Sequence, residues 1–85
     1  MELDGNAIAG LLHEVFSTEM TTAVGMCANC GAIGQVAEYV VYLDAPGTVA
    51  RCRNCLAVLM VITQIKGMNC VDLRGLASLD APRSA

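Results

Sequence analysis

Four of the five cysteines in this sequence form two pairs of one spacing, Cys27-x-x-Cys30 and Cys52-x-x-Cys55, separated by 21 residues. Two residues between cysteines let one tight turn aim both sulfurs at a single point. The gap holds enough chain for an outgoing strand, a turn and a returning strand, which brings the second pair beside the first. Four thiolates gathered in this way surround a tetrahedral centre, the geometry that Zn2+ accepts in closed structural sites. Soft sulfur ligands also select against Mg2+ and Ca2+. A tetrathiolate iron centre uses the same ligand set, and four reduced core thiols are the remaining alternative. The pattern predicts one structural Zn2+ on Cys27, Cys30, Cys52 and Cys55. Cys70 is the odd thiol. A fifth ligand would overfill a closed site, so the expectation there is a partly buried small side chain.

The residues beside the pairs bear on the same chemistry. Gly31 follows the first pair, where the absence of a Cβ relaxes the turn and lets backbone N–H groups approach sulfur. Leu56 holds the matching place after the second pair, which predicts a turn of different shape there. Arg51 and Arg53 bracket Cys52. Either they offset the negative charge of four thiolates or they are solvated side chains at a hairpin end.

Several elements are needed to position the pairs. Residues 4–16 read as a helix. Asp4 is placed as its N-cap, Leu3 and Ile8 are spaced as a hydrophobic staple, and Ile8, Leu11, Leu12, Val15 and Phe16 make one apolar stripe. Gly5 and Gly10 weaken this helix, so it depends on docking. Residues 21–27 read as a strand entering the first pair. Residues 35–43 read as a stronger strand, with Ala37, Tyr39, Val41 and Leu43 on one face and Val36, Glu38, Val40 and Tyr42 on the other. Pro46-Gly47 suits a type II turn. Residues 48–52 return to the second pair, residues 57–65 leave it, a turn begins at Lys66-Gly67, and residues 70–74 form a last strand. Residues 77–85 lack a pattern and are expected to fray.

Composition explains why a staple is needed. One domain of 85 residues buries too little surface to be comfortably stable from its core alone. The sequence is 55% apolar but nearly all of that is aliphatic, with Phe16, Tyr39 and Tyr42 the only aromatics and no Trp. The odd cysteine count and an acidic start, with no readable secretory signal, point to a reducing, cytoplasmic setting that favours metal over disulfide. The longest apolar run, residues 56–62, is far below the roughly 20 residues of a membrane helix.

The segments LDGNAIAGLLHEVF, APGTVARC and VDLRGL, together with the two cysteine pairs, resemble a family of short, uncharacterised actinobacterial zinc-ribbon proteins, a domain of unknown function. The likeness runs from residue 3 to residue 76. Its specific part is LDGNA and DLRG, because the cysteine pairs are common to many zinc ribbons. The resemblance implies a zinc ribbon with an N-terminal helix and a ligand role for Cys27, Cys30, Cys52 and Cys55. It carries no activity.

Function classes can then be weighed. Catalytic zinc keeps an open position, and four cysteines close it. His13, the one histidine, sits beside Glu14 on the margin of the helix, and no nucleophile has a base nearby in sequence. The expectation is therefore no enzyme. Nucleic-acid binders carry basic patches and exposed aromatics. This chain has five basic residues against eight acidic ones, a net charge of −3 and a pI near 4.7, so such binding is expected to be weak. Residues 57–62 are apolar on both faces of their strand. Either the small sheet curls around them or another chain covers them, as a homodimer or a different protein. The sequence thus points to a small α+β zinc ribbon, with four to five antiparallel strands and one N-terminal helix, acting as a protein-interaction or accessory module. A weak nucleic-acid binder and a rubredoxin-like iron electron carrier are the alternatives, although the aromatic packing typical of rubredoxins is missing.

Overall fold

The computed structural model describes residues 2–44 and 47–80. In chain order it contains β1 (Glu2–Asp4), a 3-10 turn (Gly5–Ile8), α1 (Ala9–Phe16), β2 (Val24–Cys27), β3 (Ile33–Gln35) and a second 3-10 turn (Val36–Glu38). β4 (Val40–Asp44), β5 (Gly47–Arg51), β6 (Val58–Ile65), β7 (Met68–Asp72) and β8 (Leu76–Asp80) follow.

The helical segment starts where the sequence places it. Asp4 has an extended backbone, and its Oδ1 accepts a hydrogen bond from the Ala7 N–H at 3.2 Å, the geometry of an N-cap. The segment is not one uniform helix. Residues 5–8 wind as a 3-10 turn before α1 begins, and Ser17 ends α1 in the left-handed conformation, φ 59°. Gly5 explains the tight first turn. A Cβ at Gly5 would fall on the carbonyl oxygen of Val36, so only glycine lets the first 3-10 turn lie against the second. The stripe faces inward as expected. Ile8 and Leu12 are buried, Leu11, Val15 and Phe16 pack partly against the core, and His13 and Glu14 lie exposed.

The four to five strands expected in one sheet are eight among the described residues, in two sheets. All pairings are antiparallel. The larger sheet runs β1-β4-β5-β6-β7, and the smaller β3-β2-β8. The second sheet arises because β8 lies along β2, pairing Leu79 with Gly25 and Ser78 with Met26. The expected frayed tail is therefore a paired strand as far as Asp80, and residues 81–85 lie outside the described residues. So does the turn expected at Pro46. The long strand at residues 35–43 is also corrected. Gln35 ends β3, the Glu38 carboxylate accepts from the Gln35 N–H at 3.2 Å, and this capping contact winds residues 36–38 into a 3-10 turn. Strand alternation begins only at Val40, and Leu43 ends up 53% exposed.

One face of the apolar run in β6 is covered by the chain itself, while Val58 on the other stays 38% exposed. Ala50 pairs with Met60 but Arg51 pairs with Val58, so Leu59 is the extra residue of a β-bulge. The bulge turns two consecutive side chains, Leu59 and Met60, inward. With Ile62 they are each about 1% exposed, in one core with Leu12, Val36, Tyr39 and Val41. At the far end of β6, Lys66 and Gly67 both have positive φ, 51° and 77°, which suits a two-residue hairpin.

Gly75 is the second close-approach glycine. A Cβ there would fall on the Val58 carbonyl oxygen, and the Gly75 carbonyl accepts from the Ala28 N–H at 2.9 Å. One residue thus ties the first cysteine turn to the strand that leaves the second. Thermal melts of the metal-loaded protein should separate the glycines by role. Gly5→Ala and Gly75→Ala should each cost about 2 kcal/mol or more, because backbone must move. Gly10→Ala meets open space on α1 and should stabilise by about 0.5–1 kcal/mol.

Candidate metal centre

Each cysteine pair sits at the end of a hairpin and is built the same way. In the first, the Cys27 N–H donates to the Ala32 carbonyl at 2.9 Å and the Gly31 N–H to the Cys27 carbonyl at 2.9 Å. In the second, the Cys52 N–H donates to the Ala57 carbonyl and the Leu56 N–H to the Cys52 carbonyl, both at 2.8 Å. Gly31 (φ 79°) and Leu56 (φ 63°) are both left-handed. The differently shaped second turn expected from Leu56 is therefore not found, and the leucine adopts the glycine conformation. Left-handed backbone costs a non-glycine residue about 1–2 kcal/mol. The bracing comes from Arg51, whose guanidinium donates to the Leu56 carbonyl at 2.9 Å and lies 5.9 Å from the centre of the Tyr42 ring. Leu56→Gly should raise the unfolding free energy of the loaded protein by up to about 1 kcal/mol. The strain it removes exceeds the unfolded-state entropy that glycine adds.

The two turns meet so that the Sγ atoms of Cys27, Cys30, Cys52 and Cys55 all lie within 4.8 Å of one another. Two separations between the turns, Cys27–Cys55 and Cys30–Cys52, are each 3.7 Å. A tetrahedron with metal–sulfur bonds of about 2.3 Å has edges of about 3.8 Å, so these spacings fit one thiolate-bound ion. They are far beyond the roughly 2.05 Å of a disulfide. Cys27 and Cys52 are buried, Cys55 is half-buried and Cys30 is exposed, which puts the group at the surface end of the core. All four cysteines singled out by spacing are brought together. Cys70 stays outside the group, exposed on the edge strand β7 rather than partly buried.

A further pair of residues completes the centre, and the sequence analysis missed them. The Asn29 amide donates to Cys55 Sγ and the Asn54 amide to Cys30 Sγ, both at 3.4 Å. Each asparagine reaches across to the other turn's outer cysteine. The signal was available, since the pairs read Cys-Ala-Asn-Cys and Cys-Arg-Asn-Cys, with asparagine at the same position. These contacts favour thiolate. The Asn54 amide, followed by the Ala32 N–H, brings Cys30 down to about 6, and the Asn29 amide with the Ala57 N–H lowers Cys55. Burial pushes Cys52 up. A bound cation reverses that cost by stabilising the thiolate directly. Of the arginines bracketing Cys52, Arg51 is engaged with Leu56 and Tyr42, and Arg53 makes no hydrogen bond or ion pair among the described residues.

A model of a family of unknown function, DUF6510, matches residues 1–84. The chain belongs to that family. No curated protein and no solved structure matches. Gly5 of LDGNA and Gly75 of DLRG are the two residues at which backbone packs on backbone. No helix among the described residues is long and apolar enough to cross a membrane.

Replacing either asparagine by alanine should weaken metal binding about 10-fold to 100-fold, the usual effect of losing a partner that orients a ligand. Competition against a chromophoric chelator measures this. Asn29→Ala and Asn54→Ala should be similar in size, because the two contacts are equivalent.

Proposed function

We propose that this chain is a structural-zinc module of the zinc-ribbon kind that works by binding another protein. The observation that carries the metal assignment is the cluster of four sulfurs, all within 4.8 Å of one another and 3.7 Å apart in two pairs. Four thiolates fill a tetrahedral ion's coordination and leave no position for a water nucleophile, so the ion's role is to hold the two hairpin ends together. Binding of such an ion supplies about 10 kcal/mol or more of folding free energy. That suits a chain with so few large side chains. His13, the one histidine, is exposed on α1.

The distribution of cations supports a protein partner over nucleic acid. Arg74 pairs with Asp72 through Nη2 at 2.7 Å, and Arg51 is committed to the second cysteine turn. Arg53 and Lys66 are the remaining described cations, too few for a phosphate-tracking patch. An accessory role beside transcription or translation machinery follows by analogy with other zinc ribbons. Thiols kept for metal point to a reducing compartment.

Elemental analysis of gently purified protein should find one zinc per chain, colourless in solution. A red protein with one iron would instead favour the electron carrier. Cys30→Ser or chelation should abolish the cooperative melt, whereas Cys70→Ser should leave one ion per chain. A metal-free protein that still melts cooperatively would sink the structural assignment.

A further inference from the structure

Among the described residues each sheet ends in two open edges, β1 and β7 in the larger and β3 and β8 in the smaller. An open edge invites another strand unless charge, brevity or irregularity blunts it. β1 has three residues, and Glu2 and Asp4 are two of them. β3 also has three residues, and β8 lies on β2 through a shifted register and ends at Asp80. β7 has none of these guards. It pairs with β6 in unbroken register, and the chain from Gly67 to Val71 carries no charge and no proline.

The hairpin that leads into β7 also stands clear of the core. Every residue from Gln64 to Val71 is exposed, with Ile65 at 50% and Met68 at 66%. Two strands bare on both faces are marginal in water, whereas three or more support one another. Ile65 and Met68 lie opposite each other and close the two-residue turn at Lys66-Gly67. The pair that closes such a turn is a hydrogen-bonded one, and bonded pairs alternate along an antiparallel ladder. Met68, Cys70 and Asp72 therefore turn their backbone groups toward β6, and Asn69 and Val71 turn theirs outward.

We propose that β7 pairs antiparallel with β7 of a second copy of this chain, about a two-fold axis at Asn69. The strand is complementary to itself in that register. Asn69 meets Asn69 of the second copy and Val71 meets Gly67 of the second copy, so the outward N–H and C=O groups bond one another. On the opposite face Met68 lies against Cys70 of the second copy, and the two hairpins become four adjacent strands. Lys66 has no ion-pair partner among the described residues, and this register brings it to Asp72 of the second copy. Asp72 already accepts from its own Arg74, through Nη2 at 2.7 Å, but its side chain is still 40% exposed and open to a second cation. An axis at Cys70 would instead set Lys66 against Arg74 of the second copy, so charge selects Asn69. The pairing stands independently of the binding-module reading.

Sedimentation equilibrium of the zinc-loaded full-length protein tests this. The mass should rise with concentration from 8.9 kDa toward twice that value, with a Kd on the order of 100 µM for so small an interface. Asn69→Pro removes an outward N–H that the fold itself does not use and should abolish the dimer. Lys66→Asp suits the left-handed turn position but sets two carboxylates against each other, and should weaken the dimer about tenfold. Both variants should keep one metal ion per chain. Asn69→Cys in a Cys70→Ser background should give a disulfide-linked dimer under oxidised glutathione, because directly opposed residues have Cα atoms about 5.5 Å apart. Cys70 of the unaltered chain is offset by two residues from its counterpart and should not cross-link. A single mass of 8.9 kDa up to roughly 1 mM, a dimer indifferent to both Asn69→Pro and Lys66→Asp, no cross-link in the Asn69→Cys protein, or cross-linking of the unaltered chain through Cys70 would each overturn the proposal. A monomer that still captures a host protein would sink the pairing and leave the binding-module reading intact.

Discussion

The meeting of four sulfurs at one point is the constraint on which the rest of the molecule depends. Cys27 and Cys55, and Cys30 and Cys52, approach to 3.7 Å. Four thiolates so close repel one another strongly without a cation between them. The two cysteine-bearing hairpins belong to different sheets, since β2 and β3 flank the first pair and β5 and β6 the second. The sulfur cluster is thus a joint between sheets as well as between turns. An ion there would cross-link the two sheets.

Other contacts serve this joint. The Gly75 carbonyl receives the Ala28 N–H, and its missing side chain lets it rest on the Val58 carbonyl. Arg51 holds the Leu56 carbonyl and so fixes the strained residue after the second pair. Asn29 and Asn54 cross between the turns and supply N–H dipoles to the two outer sulfurs. The bulge at Leu59 sets a large side chain beneath Cys27 and Cys52. Each of these features bears on the place or the surroundings of a sulfur.

Much of this was legible in the sequence because the signals were local. The spacing of the cysteine pairs sufficed to name the four thiols that the fold gathers. Asp4 followed by the stripe from Ile8 to Phe16 sufficed to place the helical segment and its buried face. Where the sequence reading failed, a partner distant in sequence made the decision. Residues 76–80 carry little strand character of their own and become β8 because β2 offers an unpaired edge. Gly5 looks like a helix breaker until Val36 is found against it. Residues 36–38 alternate like a strand, but Glu38 reaches back to cap Gln35. Asn29 and Asn54 were visible as a repeated position, yet their targets lie on opposite turns.

By itself, then, the sequence determined which four thiols gather and the amphipathic face of the helix, because these follow from residue type and short-range spacing. Tertiary structure alone decided that the strands divide into two sheets, that Leu56 takes a glycine's conformation and that Arg51 engages the second cysteine turn. Those outcomes depend on which backbone groups remain unpaired once the hairpins are brought together. Pairing energy of that kind belongs to contacts between segments far apart in the chain, so no local pattern records it.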